Sequence, residues 1–416
     1  MHAILASLGT DGDVIPYVGL GARLRARGHR VTVAANENFR SLALEHGLAF
    51  HPLVTAEETR ALFANPDFWD PLKGSWVAAR WGAGMIGRQY RLLAELASDP
   101  DVVLAAVPML FAARLVQETM ARPLASIVLQ PWMVPSMDAP PVMPGGLTLP
   151  RRTPRPLGDL YWRMIDVTAA VLVGGRLNRV RASLGLGPVN RIFRWWYSPQ
   201  RVLGLFPDWY GLPQADWPTQ MRLTGFPHYD GRPGAGLPAD VRDFLRAGPP
   251  PVVFTFGTAM LHAAHFFRSA VKACQLLGVR GLLMSKYARQ IPAVLPPGVH
   301  HAAFAPFHEL FPHCAAVVHH GGVGTTARAL AAGVPQLILP LAYDQTDNAV
   351  RVQKLGVGDW LNVRGRSGGA MARTLQRLLG LDVRDRCRAA AAHFGQEDGL
   401  EAAAEWMEEL AERGRR

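Results

Sequence analysis

Residues His319-His320-Gly321-Gly322-Val323-Gly324-Thr325-Thr326 combine three glycines with two imidazoles and two hydroxyls. Glycine lets backbone N–H groups approach an anion closely. A helix starting near Thr325 adds unpaired N–H groups and the positive end of its dipole. His320 and Thr325 bring side-chain donors to the same anion. A diphosphate held this way needs no metal. Farther on come Gly333-Val334-Pro335 and then Asp344-Gln345-Thr346-Asp347-Asn348-Ala349. A carboxylate beside an amide, at the end of a strand, suits the hydroxyls of a sugar ring. Near the start of the chain, Gly9-Thr10-Asp11-Gly12-Asp13 forms a tight polar loop. Asp13 either caps the helix that follows or takes a proton from an alcohol oxygen; one carboxylate can do both. Asp11 is a weaker second candidate.

These residues need strands and helices to place them. Ala3 to Leu8 reads as a buried strand, and Pro16 suits a first helical turn. Tyr17, Leu20 and Leu24 then face inward, Gly28 ends the helix, and Val31 to Ala35 forms the next strand. Val102 to Ala106 and Leu124 to Leu129 continue the sheet. The rhythm restarts at Val252 to Phe256, followed by Gly257-Thr258, and goes on through Leu282 to Met284, Ala316 to His319 and Gln336 to Pro340. Alternating strands and helices in two blocks predict an α/β chain of two facing Rossmann-like domains, each with a parallel sheet. The expected division is an N-terminal acceptor-binding domain over 1–225, a Gly/Pro-rich linker over 226–250, a donor-binding domain over 251–390, and a C-terminal helix within 391–416 that returns to the N-terminal domain. Segments 55–90 and 131–165 read as insertions. Ligands of such sheets lie beyond the carboxyl ends of the strands, which is where the three loops fall.

The later motifs resemble the donor signature of the family 1 nucleotide-sugar glycosyltransferases of the two-domain B-type fold (GT-B). That signature is a His-x-Gly-x-[Gly/Asn]-[Thr/Ser] loop, a Gly-Val-Pro and an Asp-Gln-x-x-Asn-Ala, here in order and at similar spacing. The resemblance implies that His320, Gly322, Gly324, Thr325 and Thr258 hold the donor diphosphate. Asp344 and Gln345 would bind the sugar, and Phe304, Pro306 and Phe307 the nucleobase. The loop Gly9 to Pro16 resembles one whose Asp, at the position of Asp13, is the general base in several bacterial members. The implied reaction is an inverting, metal-independent O-glycosyl transfer, with a nucleotide sugar as co-substrate and no other cofactor. Many relatives bind ribose with a Glu where this chain has Arg328, a departure that favours a dTDP-linked donor over a UDP-linked one.

Trp69-Asp70-Pro71, Ser198-Pro199-Gln200, Phe206-Pro207, Asp216-Trp217-Pro218 and Leu223-Thr224-Gly225-Phe226-Pro227 are similar to the rhamnosyltransferases of bacterial rhamnolipid synthesis. This implies L-rhamnose from dTDP-L-rhamnose and an acceptor such as a hydroxy-fatty-acid lipid. Trp69, Trp76 and Trp81 would line its cleft, and Arg88 or Arg80 would meet a lipid carboxylate. The same aromatics also suit a packing surface. A UDP- or dTDP-glucose transferase acting on a small aglycone, an epimerase, and a nucleotide-sugar-binding protein without chemistry are the competing readings.

Composition narrows the field. The chain has 416 residues and a net charge of +11. Only four basic residues are lysines, none after a glycine, which excludes a phosphate-loop NTPase. The three cysteines have no zinc or disulfide spacing. Arginines are scattered and no nucleic-acid module is evident, so no nucleic-acid partner is expected. Asp11-Gly12-Asp13 and Asp99-Pro100-Asp101 both spell a metal-binding Asp-x-Asp, which shows how cheap that motif is. Gly365 to Gly369 spells a hydrolase elbow, but too little chain follows it for the rest of that fold. The histidines between His300 and His320, and Trp195, Trp196, Trp209 and Trp217, read as packing or surface residues. No signal peptide or bilayer-length apolar run is read, so the expected location is the cytoplasm, with room for peripheral contact at the inner face of the membrane.

Overall fold

The computed structural model describes residues 1–150, 153–229, 231, 234, 236–258, 260–362, 366–395 and 398–415. Two parallel sheets dominate it. The first comprises β1 (His2–Ala6), β2 (Arg30–Asn36), β3 (Ala49–Val54), β4 (Val102–Ala106), β5 (Leu124–Val128), β6 (Arg201–Gly204) and β7 (Met221–Leu223), in the order β3-β2-β1-β4-β5-β6-β7. The second comprises β8 (Val252–Thr255), β9 (Gly281–Met284), β10 (Val299–Ala302), β11 (Ala316–His319), β12 (Gln336–Ile338) and β13 (Gly358–Trp360), in the order β10-β9-β8-β11-β12-β13. The central strands β1, β4 and β5 are buried throughout, as strands covered by helices on both faces must be. This is the expected α/β architecture of two Rossmann-like domains.

The strand orders locate the crevices. All strands run parallel, and the strand order switches direction between β1 and β4 in one sheet and between β8 and β11 in the other. Ligands gather at such switch points. The Asp13 loop follows β1, Gly257-Thr258 follows β8, and the His320 loop follows β11.

The helix Asp11–Ala26 buries Tyr17, Leu20 and Leu24 completely. Its outer side is covered by the last helix, Gly399–Arg415, through Leu400, Ala403, Ala404 and Met407. Arg23 bonds Asp398 at 2.9 Å, and Arg27 bonds Glu408 at 2.7 Å. The chain therefore crosses between domains twice, and the crossings touch. Gly399 N–H donates to the Phe226 carbonyl at 3.3 Å, and Phe226 stacks on Phe394 with centroids 5.7 Å apart. A Cβ on Gly399 would lie 2.3 Å from the Gly225 carbonyl oxygen, so only glycine fits there.

One expected boundary needs correction. Residues 226–250 are not all linker. The helix Ala239–Arg246 buries Val241 against Val253 and Leu282, and Arg280 Nη1–H donates to the Pro249 carbonyl at 2.9 Å. The linker ends before Ala239. Signals for β3, β6, β7, β10 and β13 were also missed, because these strands are short or lack a continuous apolar run. Among the described residues no helix is long and apolar enough to cross a membrane.

Candidate active site

The loop His319 to Thr326, expected to hold the diphosphate, is shaped by contacts that forbid larger residues. Gly321 has φ +96°, and a Cβ there would meet Ile338 Cγ2 at 2.7 Å and the Gln345 carbonyl oxygen at 2.9 Å. His320 is wedged between two more glycines. A Cβ on Gly322 would lie 2.6 Å from its Nε2, and one on Gly257 would lie 3.1 Å from its Cε1. Gly322 is the N-cap of the helix Val323–Ala331, and no side chain caps it. Its first N–H groups are thus open to an anion. Gly324 is exposed, and Thr325 is half-buried beside it.

The two histidines have separate tasks. His319 is fully buried, with Nε2 3.0 Å from Gln336 Oε1, and Gly321 N–H donates to Nδ1 at 3.1 Å. This pattern puts the proton on Nε2. Burial pulls the His319 pKa down to about 3. His320 is pulled down to about 4 by burial, and its Nδ1 is buried without a partner. His320 is neutral at pH 7, so its donor capacity is a single N–H rather than a positive charge. The remaining histidines form no metal centre: among the described residues no group of three or more His, Cys, Asp or Glu could hold an ion.

Asp13 faces this loop from the other domain. Its Oδ2 accepts the Thr10 backbone N–H at 2.7 Å and the Thr10 hydroxyl at 3.0 Å, closing a capping box. Oδ1 stays outside that cap. Gly9 has φ +137°, and a Cβ there would sit 2.3 Å from Asp13 Oδ2. Burial raises the Asp13 pKa against the lowering effect of the Thr10 donors. Only Oδ2 of the carboxylate serves the cap.

Asp344 lies at the start of the helix Gln345–Lys354. Its pKa is pushed up to about 7, first by burial and next by the charge of Asp13. The Tyr343 hydroxyl is raised as well, first by burial and next by that charge. Asp13, from the N-terminal domain, is thus close enough to act on Asp344 of the C-terminal domain. Asn348 connects the parts. Its Nδ2 donates to Asp344 Oδ2 at 2.7 Å and to the Gly321 carbonyl at 2.9 Å, while its Oδ1 accepts the Tyr210 hydroxyl at 2.8 Å. Tyr210 belongs to the N-terminal domain. Asp347, buried beside it, accepts Val142 N–H at 2.9 Å and Arg351 Nε–H at 2.6 Å.

Several expected site residues are placed differently. Gln345 Oε1 accepts Leu341 N–H at 2.7 Å and Ala342 N–H at 3.2 Å, so only its amide nitrogen remains for a sugar. Phe304 is exposed, but Pro306 is buried, and Phe307 stacks on Phe311 with centroids 4.5 Å apart. The Phe307 ring is committed to packing and is withdrawn from the nucleobase set. Arg88 does not await a lipid carboxylate. It holds both oxygens of Glu58 at 2.7 and 2.8 Å, and this keeps Glu58 near 2. Trp76 is 47% exposed and Trp81 half-buried. Trp69 donates Nε1–H to the Phe63 carbonyl at 2.9 Å.

Two cavities open between the domains. One of about 240 Å³ has Pro66 and Trp69 on one side and Phe256, Phe266 and Arg366 on the other. The other, of about 310 Å³, joins Thr10 and Asp11 to Thr258, Lys286 and Tyr287. Thr258 is therefore placed opposite the Asp13 loop.

Tyr343 and Tyr210 were missed by sequence reasoning, and Asn348 was read only as part of the Asp-Gln-x-x-Asn-Ala motif, with no role of its own. Tyr343 takes φ +59°, rare for a bulky residue, and its hydroxyl donates to the Phe68 carbonyl at 2.8 Å. It ties the turn that carries Asp344 to the insertion over 55–90. No spacing rule signals that contact. Ser367 caps the helix Gly368–Leu378 by accepting Ala370 N–H at 3.3 Å, a structural role; Gly365 lies outside the described residues. Trp195 lies under Arg114 and Arg181, and Trp209 stacks on His393, so both are packing residues.

Two facing Rossmann-like domains, with an uncapped glycine-rich helix start across the cleft from a carboxylate, define the GT-B class of glycosyltransferases. Comparisons with known proteins agree. Residues 3–137 match the glycosyltransferase family 28 N-terminal domain, and residues 282–405 match the erythromycin biosynthesis protein CIII-like C-terminal domain. The chain is 30% identical to glycosyltransferase GtfC of Amycolatopsis orientalis, covering 97% of this chain and 96% of that one. It is 29% identical to O-mycaminosyltylonolide 6-deoxyallosyltransferase of Streptomyces fradiae, covering 98% of each. Its fold is that of spinosyn rhamnosyltransferase SpnG complexed with thymidine diphosphate, with a TM-score of 0.70 at 19% identity over 98% of this chain and 100% of that one. The chain belongs to the family 1 nucleotide-sugar glycosyltransferases and is an enzyme of that family.

Proposed function

We propose that this chain is an inverting O-glycosyltransferase that uses Asp13 as general base and needs no metal. The observation that carries the proposal is the cleft that joins the Asp13 loop, through Gly9, Thr10 and Asp11, to Thr258 of the other domain, next to an uncapped helix start. The acceptor hydroxyl oxygen attacks the anomeric carbon as its proton passes to Asp13 Oδ1. The bond from that carbon to the diphosphate oxygen breaks on the opposite face, inverting the centre. Negative charge gathers on the leaving nucleoside diphosphate. The open N–H groups of residues 323–325 and the neutral His320 imidazole meet that charge. Asp344, held by Asn348, takes the sugar hydroxyls.

The donor proposed is dTDP-L-rhamnose. Arg328 stands where many relatives place a ribose-binding Glu, and one solved neighbour is a rhamnosyltransferase with bound thymidine diphosphate. The acceptor is an apolar hydroxylated molecule, with a hydroxy-fatty-acid lipid as the first candidate. The Arg88–Glu58 pair favours a second reading, an uncharged aglycone, because it occupies the arginine that a lipid carboxylate would use. A screen of dTDP-rhamnose, dTDP-glucose and UDP-glucose against hydroxy-fatty-acid and macrolide or sterol acceptors, with and without a chelator, decides among these. An inverted product, an α-L-rhamnoside from the β-linked dTDP-L-rhamnose or a β-glucoside from an α-linked glucose donor, unaffected by chelation, is expected. Retained configuration or loss of turnover with the chelator overturns the mechanism.

A further inference from the structure

The helix Arg155–Ala169 is apolar on two opposite faces. Its inner side is occupied. Gly158 lies against Met137, where a Cβ would be 1.6 Å from Met137 Cε, and Trp162 and Ile165 are half-buried. Its outer side carries Leu157, Leu160, Met164 and Val167, and the stripe runs on to Val171 in the wide turn Ala170–Gly174. The spacing of three and four residues sets these side chains in one row. Each is between 54% and 75% exposed. A continuous apolar row facing solvent marks a docking surface.

Charge selects the occupant. Residues 151–194 contain nine arginines, two aspartates, no lysine and no glutamate, and so carry +7 of the chain's +11. Arg155 and Arg163 are exposed on the same helix, and Arg191 and Arg194 are exposed close enough to act on Asp166. Tyr161 and Trp162 stand half-buried at the edge of the row. An apolar stripe rimmed by arginines and amphipathic aromatics fits the boundary between anionic headgroups and acyl chains.

We propose that this helix docks the protein, lying flat, on an anionic lipid bilayer. The inference stands apart from the transferase reading, because vesicle binding is read without turnover. The test uses the full chain and sedimentation with vesicles of phosphatidylglycerol and phosphatidylcholine in equal parts, or of phosphatidylcholine alone, at about 0.15 M salt. Binding to the anionic vesicles that weakens as salt rises is expected, with little binding to the neutral ones. Leu160→Glu with Val167→Glu, and separately Arg163→Glu, should each lower vesicle partition about tenfold or more. All three positions are exposed, and an unchanged melting curve confirms that the variants fold. Absence of binding to anionic vesicles, or equal binding by the variants, overturns the proposal. So does a dimer that the double variant splits while vesicle binding stays absent, which would make a second copy the occupant.

Discussion

The phosphate loop and the insertion over 55–90 face the same cleft but are built on opposite terms. In the loop, Gly321 and Gly322 sit where any side chain would collide with a neighbour, and His319 is locked by Gln336 and Gly321. Its groups are held in place before a ligand arrives. In the insertion, nearly half of Trp76 is exposed, Arg88 is spent on Glu58, and Trp69 borders a small cavity. A diphosphate has one shape and charge, so its site can be prebuilt. The apolar acceptor proposed for the insertion offers little to recognise beyond area and one hydroxyl, which suits a looser site. Substitutions on the donor side should therefore cost far more than those on the acceptor side.

The largest loss is expected from Asp13→Asn, which keeps the cap acceptor but removes the base. Its kcat should fall about 10²–10⁴-fold with donor KM nearly unchanged. Retained turnover would leave Asp13 as a cap only. His320→Ala removes one donor to the leaving group, and kcat/KM for the donor should fall about 10²-fold. A loss confined to acceptor KM would place His320 on the wrong side of the comparison. Tyr210→Phe deletes the hydroxyl that reaches Asn348 Oδ1 and leaves that buried oxygen unpaired, at a cost of about 1–3 kcal/mol. We expect a lower Tm and a several-fold loss of kcat/KM, because Asn348 also holds Asp344.

Asp344 supplies a test through pH. Its folded pKa, about 7, lies above the ordinary value of 3.8, so the folded chain holds this proton more tightly than the unfolded chain does. The stability it contributes is full below 3.8 and is lost as pH rises through about 7. Asp344→Asn abolishes the titration. Without donor it should raise Tm by about 1–3 °C at pH 8 and leave it unchanged near pH 3.5. A fall at pH 8 would mean that the ionised carboxylate has a stabilising partner. The smallest effect belongs to Arg88→Ala. Loss of a partly exposed ion pair costs at most about 1 kcal/mol, with acceptor KM changed less than about twofold. A large rise in that KM for a carboxylated acceptor alone would restore Arg88 to the acceptor site.

The same contrast governs what was legible in the sequence. The donor loop is contiguous, and its chemistry depends on residues of fixed type, so His319 to Thr326 and Asp344 could be read directly. The two-sheet architecture was legible from buried runs such as Val252 to Phe256. What failed was long-range. Tyr210 meets Asn348 across 138 positions, and the Tyr343 hydroxyl reaches Phe68 across 275. Glu58 claims Arg88 from a separate helix. Phe307 looked like a ligand platform until Phe311 was found stacked on it. Local pattern names a side chain's chemistry; only the fold says which groups are already taken.

The helix Gly399–Arg415 seals the outer side of the helix that begins at Asp11. The N-terminal domain is therefore completed by residues that follow the C-terminal domain along the chain. Without that helix, Gly19 and its neighbours have one wall missing, and the loop that carries Asp13 rests on an unfinished support. Shortening the chain by its final seventeen or so residues should thus injure the domain at the opposite end of the sequence, not the one to which those residues are joined.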